Sequence, residues 1–163
     1  MRQIFLNTVY TLHDPVEDIV RLLAFVDHGT VAVVISLIKK NTLPYMIDAD
    51  TFVDDLESGQ AKESSDYPPA FCALPSPAQQ AAIKRAWDVI GSFVLDIPAC
   101  YDPKIRSRYI TAKCRETGLS RTQIQRYLYR FWAGGMTQHA LCPQYNKRGA
   151  PGQSRKMHKG KEI

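Results

Sequence analysis

Hydrophobic positions recur along this chain in two rhythms, one in each half. Within residues 1–60, apolar and β-branched side chains gather in short stretches at residues 8–12, 19–26 and 30–38, which predicts strands. Asp27-His28-Gly29 separates the last two and carries a turn signal, so these two are expected to pair as a hairpin. Val31, Val33, Ile35 and Leu37 then share one face of the second hairpin strand. Asp14-Pro15 breaks the chain after the first strand. Asp50 is expected to cap a short helix whose apolar face is Phe52, Val53 and Leu56 and whose stop is Gly59.

From residue 76 the period changes to that of helices. Ser76-Pro77-Ala78-Gln79 has the form of a capping box with proline at the first helical position. Ile83, Ala86, Trp87, Ile90 and Val94 follow at helical spacing, and Pro98 ends the run. Asp102-Pro103 opens a second helix, with Ile105, Tyr109 and Ala112 as its expected inner face, basic residues including Arg106 around the rest, and Gly118 as its stop. Ser120-Arg121-Thr122-Gln123 again has capping-box form, and Ile124, Tyr127, Leu128, Phe131 and Trp132 make a third apolar stripe before Gly134-Gly135. Helix, helix, short glycine-containing turn, helix is the helix-turn-helix layout, in which the last helix enters the major groove of DNA.

Between the two halves, residues 61–75 contain Ser64-Ser65-Asp66, Pro68-Pro69 and Pro75, which is linker composition. Phe71, Cys72 and Leu74 within it are apolar and are expected to pack in part on a neighbour. The expected fold class is therefore α+β. A small β-rich domain with a short helix (1–60) and a linker (61–75) precede a three-helix helix-turn-helix domain (76–142) and a basic extended tail (143–163).

Charge sharpens the division. Residues 1–70 carry net −6 and residues 71–163 net +11 within an overall +5. A basic unit with interspersed aromatics is the electrostatic footprint of a nucleic-acid binder. No apolar run is long enough for a membrane span, and the N-terminal residues hold no signal-peptide core. Four cysteines, Cys72, Cys100, Cys114 and Cys142, form no CxxC pair and read as reduced thiols of a cytoplasmic protein.

Opposite the last apolar stripe lie Thr122, Gln125, Arg126 and Tyr129, flanked by Arg121 and Arg130. Gln pairs bidentately with adenine and Arg with guanine, whereas Tyr and flanking Arg reach phosphates. The expected base-reading residues are Arg121, Thr122, Gln125 and Arg126. The expected backbone contacts are Lys104, Arg108, Ser120, Tyr129, Arg130, Lys147, Arg148, Arg155 and Lys156. The bland alternative is an amphipathic helix with a solvated face. The tail likewise reads either as an arm along the phosphate backbone or as a solvated tail. Trp87, Phe131 and Trp132 follow the buried stripe and are expected in the core. The acids Asp48, Asp50, Asp54, Asp55 and Glu57 match no metal-loop spacing, and His139 with Cys142 lacks two nearby partners for zinc.

Several motif blocks resemble the TnsB subunit of TnsABC-type bacterial transposons, a family related to phage Mu transposase and retroviral integrases. They are Tyr101-Asp102-Pro103-Lys104-Ile105-Arg106-Ser107, Arg126-Tyr127-Leu128-Tyr129-Arg130-Phe131-Trp132 with Gly135-Met136-Thr137, and Ala140-Leu141-Cys142-Pro143 leading to Gly149-Ala150-Pro151-Gly152. The likeness covers about residues 100–155. It implies a DNA-binding segment ahead of an RNase-H-like core, whose DDE carboxylates bind magnesium and join cut transposon ends to target DNA. The chain stops at residue 163, about where such a core would begin, and Asp88, Asp96 and Asp102 sit on or beside helices. The resemblance therefore implies a fragment with no catalytic residues and no cofactor of its own. Its partner would be double-stranded DNA at transposon ends, with TnsA and TnsC joining the full-length protein. The residues alone also admit a stand-alone helix-turn-helix transcription regulator, or a protein-interaction module built on the acidic β-unit.

Overall fold

The computed structural model describes residues 3–13 and 17–144 of the 163-residue chain. β1 (Val9–Leu12), β2 (Asp18–Val26), β3 (Val31–Ser36), β4 (Tyr45–Asp48) and β5 (Lys62–Ser64) form an antiparallel sheet in the order β4-β3-β2-β1-β5. α1 (Ala49–Ser58) follows β4 directly and carries the chain toward the far edge, where β5 pairs with β1. α2 (Pro77–Val94), α3 (Pro103–Thr117) and α4 (Arg121–Ala133) make the helical unit, with 3-10 turns at Ala99–Tyr101 and Gln138–Leu141. The architecture is α+β, in the order the two hydrophobic rhythms imply.

The sheet is covered on both faces, which is why β3 reads as a continuous apolar run. Val20, Leu22, Ala32 and Val34 meet Tyr10, Phe52 and Leu56 on the side of α1. Val33 and Ile35 turn to the other side and join Ile90, Ile110, Ile124, Leu128 and Trp132 from the three long helices. A register shift in β2 between Leu22 and Ala24 leaves Leu23 as an extra residue, and Leu23 and Ala24 both enter this helix-side core. The sheet and the helices thus share a core, and residues 61–75 run between elements that touch.

One buried cation sits where the parts meet. Arg21 projects from β2 and is 2% exposed. Its guanidinium donates to the carbonyls of Asn7 (2.7 Å), Ala133 at the end of α4 (2.9 Å) and Tyr67 in the linker (3.2 Å). Burial pulls its pKa below the ordinary arginine value. The linker is held beside it, since Ala70 N–H donates to Gly134 O at 2.7 Å. Gly135 takes φ +109°, and a side chain there would collide with Pro69.

Three sequence expectations need correction. The cap of α1 is Asp48, not Asp50: its carboxylate accepts from Thr51 N and Thr51 Oγ1, both at 2.8 Å, because β4 runs straight into the helix. The inner face of α3 is set by Arg106 and Ile110 rather than by Ile105 and Ala112, which are exposed. Arg106 is drawn inward because its Nη1 donates to the carbonyls of Cys100 and Tyr101. The linker does pack in part on the helices, with Cys72 half-buried against Cys142 and the Phe71 ring against His139, although Phe71 and Leu74 themselves are exposed. Finally, β4 and β5 add two edge strands beyond the three expected.

Candidate nucleic-acid interface

The helix-turn-helix is built by local capping. Asp102 Oδ1 accepts from Lys104 N (2.8 Å) and Ile105 N (3.2 Å) to start α3. Gly118 ends it in the left-handed region (φ +74°), returning its N–H to Cys114 O at 3.0 Å. Two residues later Ser120 Oγ accepts from Gln123 N at 3.2 Å and opens α4. The reciprocal half of the expected capping box is replaced, since Gln123 Oε1 accepts from Arg126 Nη1 at 3.5 Å. Ile124, Leu128, Phe131 and Trp132 are buried, and Ile110 of α3 meets them in the core, which fixes the orientation of α4.

What remains exposed is basic and polar. Lys104, Arg108, Thr111 and Arg115 fall within about 60° of one another on α3 by the helical step, and all are exposed. Arg121 and Thr122 are exposed at the start of α4, while Gln125 and Arg126 are half-buried one turn on. Arg121 bridges the two helices: its Nη2 donates to Ser107 Oγ at 2.9 Å and its Nη1 to Thr111 Oγ1 at 3.1 Å. Sequence reasoning did not single out these two hydroxyls. Their i, i+4 spacing on the face of Lys104 and Arg108 was the available signal. Lys113 lies apart from this surface in function, being paired with Glu116 at 3.1 Å and set over the Tyr109 ring.

Two of the residues expected at phosphates sit in a different setting. Tyr129 is half-buried, and its hydroxyl donates to Ser36 O of β3 at 3.3 Å. Burial first, and then the Asp18 carboxylate, push its phenol above the ordinary tyrosine value. Arg130 lines a shallow groove with Arg21, Tyr67 and Tyr129. The first two turns of α4 therefore face outward, and the later turns face the sheet and the linker. Lys147, Arg148, Arg155 and Lys156 lie outside the described residues. Trp132 and Phe131 are in the core, and Trp87 packs half-buried against Phe131 with ring centroids 5.8 Å apart.

Away from the helices, a largely apolar concavity of about 570 Å³ opens between α1 and β4, with Leu12, Met46 and Phe52 in its wall. Asp18 borders it, its carboxylate accepting from Ser36 Oγ (2.7 Å) and Tyr45 Oη (3.0 Å). Among the described residues no three His, Cys, Asp or Glu side chains converge as metal ligands. No helix among the described residues is long and apolar enough to cross a membrane.

Comparison with known proteins falls on the same helices. Residues 83–145 match the family model of the TnsB second domain. A segment of 55 residues is 36% identical to the Escherichia coli transposon Tn7 transposition protein TnsB, covering 34% of this chain. The matched segment spans 8% of that relative's length. The family match begins within α2, ahead of the motif block that opens at Tyr101, and takes in both helices of the helix-turn-helix. Residues 83–145 thus resemble a TnsB second domain, and the likeness to a TnsB-type transposase rests on that segment of the chain.

Proposed function

We propose that this chain binds double-stranded DNA sequence-specifically at the end repeats of a transposon, as the recognition part of a DDE transposase acting in a bacterial cytoplasm. The observation that carries this reading is the exposed basic surface shared by α3 and the first turns of α4, held on a capped helix-turn-helix. In it, α4 lies in the major groove with Arg121, Thr122, Gln125 and Arg126 toward base edges. Lys104, Arg108 and Ser120 contact the backbone, and Arg148 and Arg155 extend that contact along the tail.

DNA strand transfer, and assembly with TnsA and TnsC, belong in this proposal to the full-length protein. The magnesium of a DDE core has no fitting ligand set among the described residues, so no chemical step is assigned to them.

The test is a titration of the chain against an end-derived and a scrambled duplex across a salt series. Arg126→Ala should cost about 1–3 kcal/mol and relax sequence preference, as expected for an arginine paired with guanine. Arg155→Ala should weaken both duplexes alike and lower the salt slope by about one. Equal losses on both duplexes from both changes would remove the base-reading assignment. Absence of salt-sensitive binding would remove the DNA-binding proposal itself.

A further inference from the structure

We infer that Cys72 and Cys142 form a disulfide site, closed by exchange with a low-molecular-weight disulfide. Their Sγ atoms lie 2.8 Å apart, inside ordinary sulfur contact, although both are free thiols and 70 positions separate them in sequence. Exchange needs little backbone movement, because the linker is already fastened beside the second cysteine. Ala70 N–H is bonded to Gly134 O, the Phe71 ring lies 5.4 Å from that of His139, and Gln79 Nε2 donates to Pro143 O at 3.0 Å. Both cysteines line one open pocket with His139 and Gln79, so a small disulfide can reach them. Cys100 and Cys114 do not compete. Cys100 is fully buried with its thiol toward Val94 O, and Cys114 lies on α3.

The two cysteines take different parts. Cys72, the less buried, attacks one sulfur of the small disulfide as a thiolate; that S–S bond breaks and one small thiolate leaves, taking up a proton from water. Cys142 then attacks the Cys72 sulfur of the mixed disulfide and expels the second small thiolate. Two cysteine thiols are oxidised by two electrons and one small disulfide is reduced to two thiols. Burial, and then its hydrogen bond with Cys72, push the Cys142 thiol up to about 11. None of the residues proposed to meet DNA lines this pocket, so closure leaves duplex affinity unchanged.

The experiment treats the reduced, folded chain with oxidised glutathione in mildly alkaline buffer, blocks remaining thiols, and maps crosslinks by mass spectrometry. The expected result is one Cys72–Cys142 crosslink with the loss of two hydrogens. Tm should rise by roughly 5–10 °C, reversed by dithiothreitol. Cys142→Ser should instead accumulate glutathione on Cys72. Glutathione persisting on Cys72 of the unmutated chain without a crosslink would overturn the inference, as would equal crosslinking to Cys100 or Cys114. The map on the unmutated chain decides the matter even if a variant fails to fold.

Discussion

Arg21 offers the sharpest quantitative test of how α4 is held. Arg21→Met keeps the length and apolar stem of the side chain but removes the guanidinium. The two short bonds, to Asn7 O at 2.7 Å and Ala133 O at 2.9 Å, each contribute about 1.5–3 kcal/mol as hydrogen bonds to a charged group. The third, 3.2 Å to the carbonyl of the exposed Tyr67, adds little, because water replaces it. Those figures are already net of the guanidinium's exchange with water, so the two short bonds together bound the loss at roughly 3–6 kcal/mol. Burial of the apolar end of the methionine offsets about 1–2 kcal/mol of it. The net expectation is a loss of about 2–4 kcal/mol, a large share of the stability of a small protein.

Urea unfolding followed by the fluorescence of Trp87 and Trp132 measures that loss directly. The midpoint should fall with the m value unchanged. Arg21→Lys should fall between, since a single ammonium does not span three carbonyls from three segments. A loss below about 1 kcal/mol, or a gain, would show that desolvation outweighs the bonds and that Arg21 is not the clamp described.

Other consequences follow from single sites. Trp132 is fully buried, yet its Nε1–H meets no acceptor among the described residues, so Trp132→Phe should cost only about 1–2 kcal/mol against about 3–5 for Trp132→Ala in the same titration. Asp48 is held below the ordinary carboxylate range by its bonds from Thr51, so its contribution is present above that range and lost as pH falls through the folded value. The protection factor of the Thr51 amide should therefore fall in acid, and Asp48→Asn should flatten that fall. Arg121→Ala should reduce the preference for end-derived over scrambled duplex by roughly 5- to 100-fold, whereas Arg108→Ala should weaken both alike and lower the salt slope by about one. Exchanged outcomes would exchange the two roles.

Much of this fold is legible because apolar periodicity and caps act locally. Ser76, Asp102, Gly118 and Ser120 each mark a helix end by chemistry contained within four residues, and each sits where the pattern places it. The edge strands escaped because backbone pairing, not side-chain alternation, makes them. Lys62-Glu63-Ser64 is polar, and Tyr45-Met46-Ile47-Asp48 is mostly exposed, as short strands at a sheet edge commonly are. The face of α3 was misread because a buried arginine breaks the apolar rule: Arg106 goes inward to carbonyls at the Ala99–Tyr101 turn, leaving Ile105 outside. Arg21 was invisible for the same reason. An arginine within an apolar strand carries no local sign that three remote carbonyls await it. At the interface, a helical wheel placed Tyr129 beside Gln125 and Arg126, but a wheel does not say that the sheet covers the later turns of that face.

If α4 is the recognition helix proposed above, the division along it gives the acidic β-unit a physical part in DNA recognition without requiring it to touch DNA. A recognition helix reads bases only if its axis is fixed, because a small tilt moves side-chain tips by more than a hydrogen-bond tolerance. Here the outer face of the first turns exposes Arg121 and Thr122, with Arg121 anchored to Ser107 and Thr111 of α3, while the later turns are fixed to the sheet by Tyr129 at Ser36 and Arg21 at Ala133. The net charge of −6 on residues 1–70 fits this arrangement, since an acidic unit repels phosphate and favours approach by the basic helices. Tyr129→Phe separates this bracing from direct phosphate contact. Removing the hydroxyl deletes its bond to Ser36 O and leaves the ring in place. If bracing is its role, preference for the end-derived duplex falls. Equal weakening on the end-derived and scrambled duplexes, with preference intact, would instead return Tyr129 to the phosphates and leave the sheet without this part in recognition.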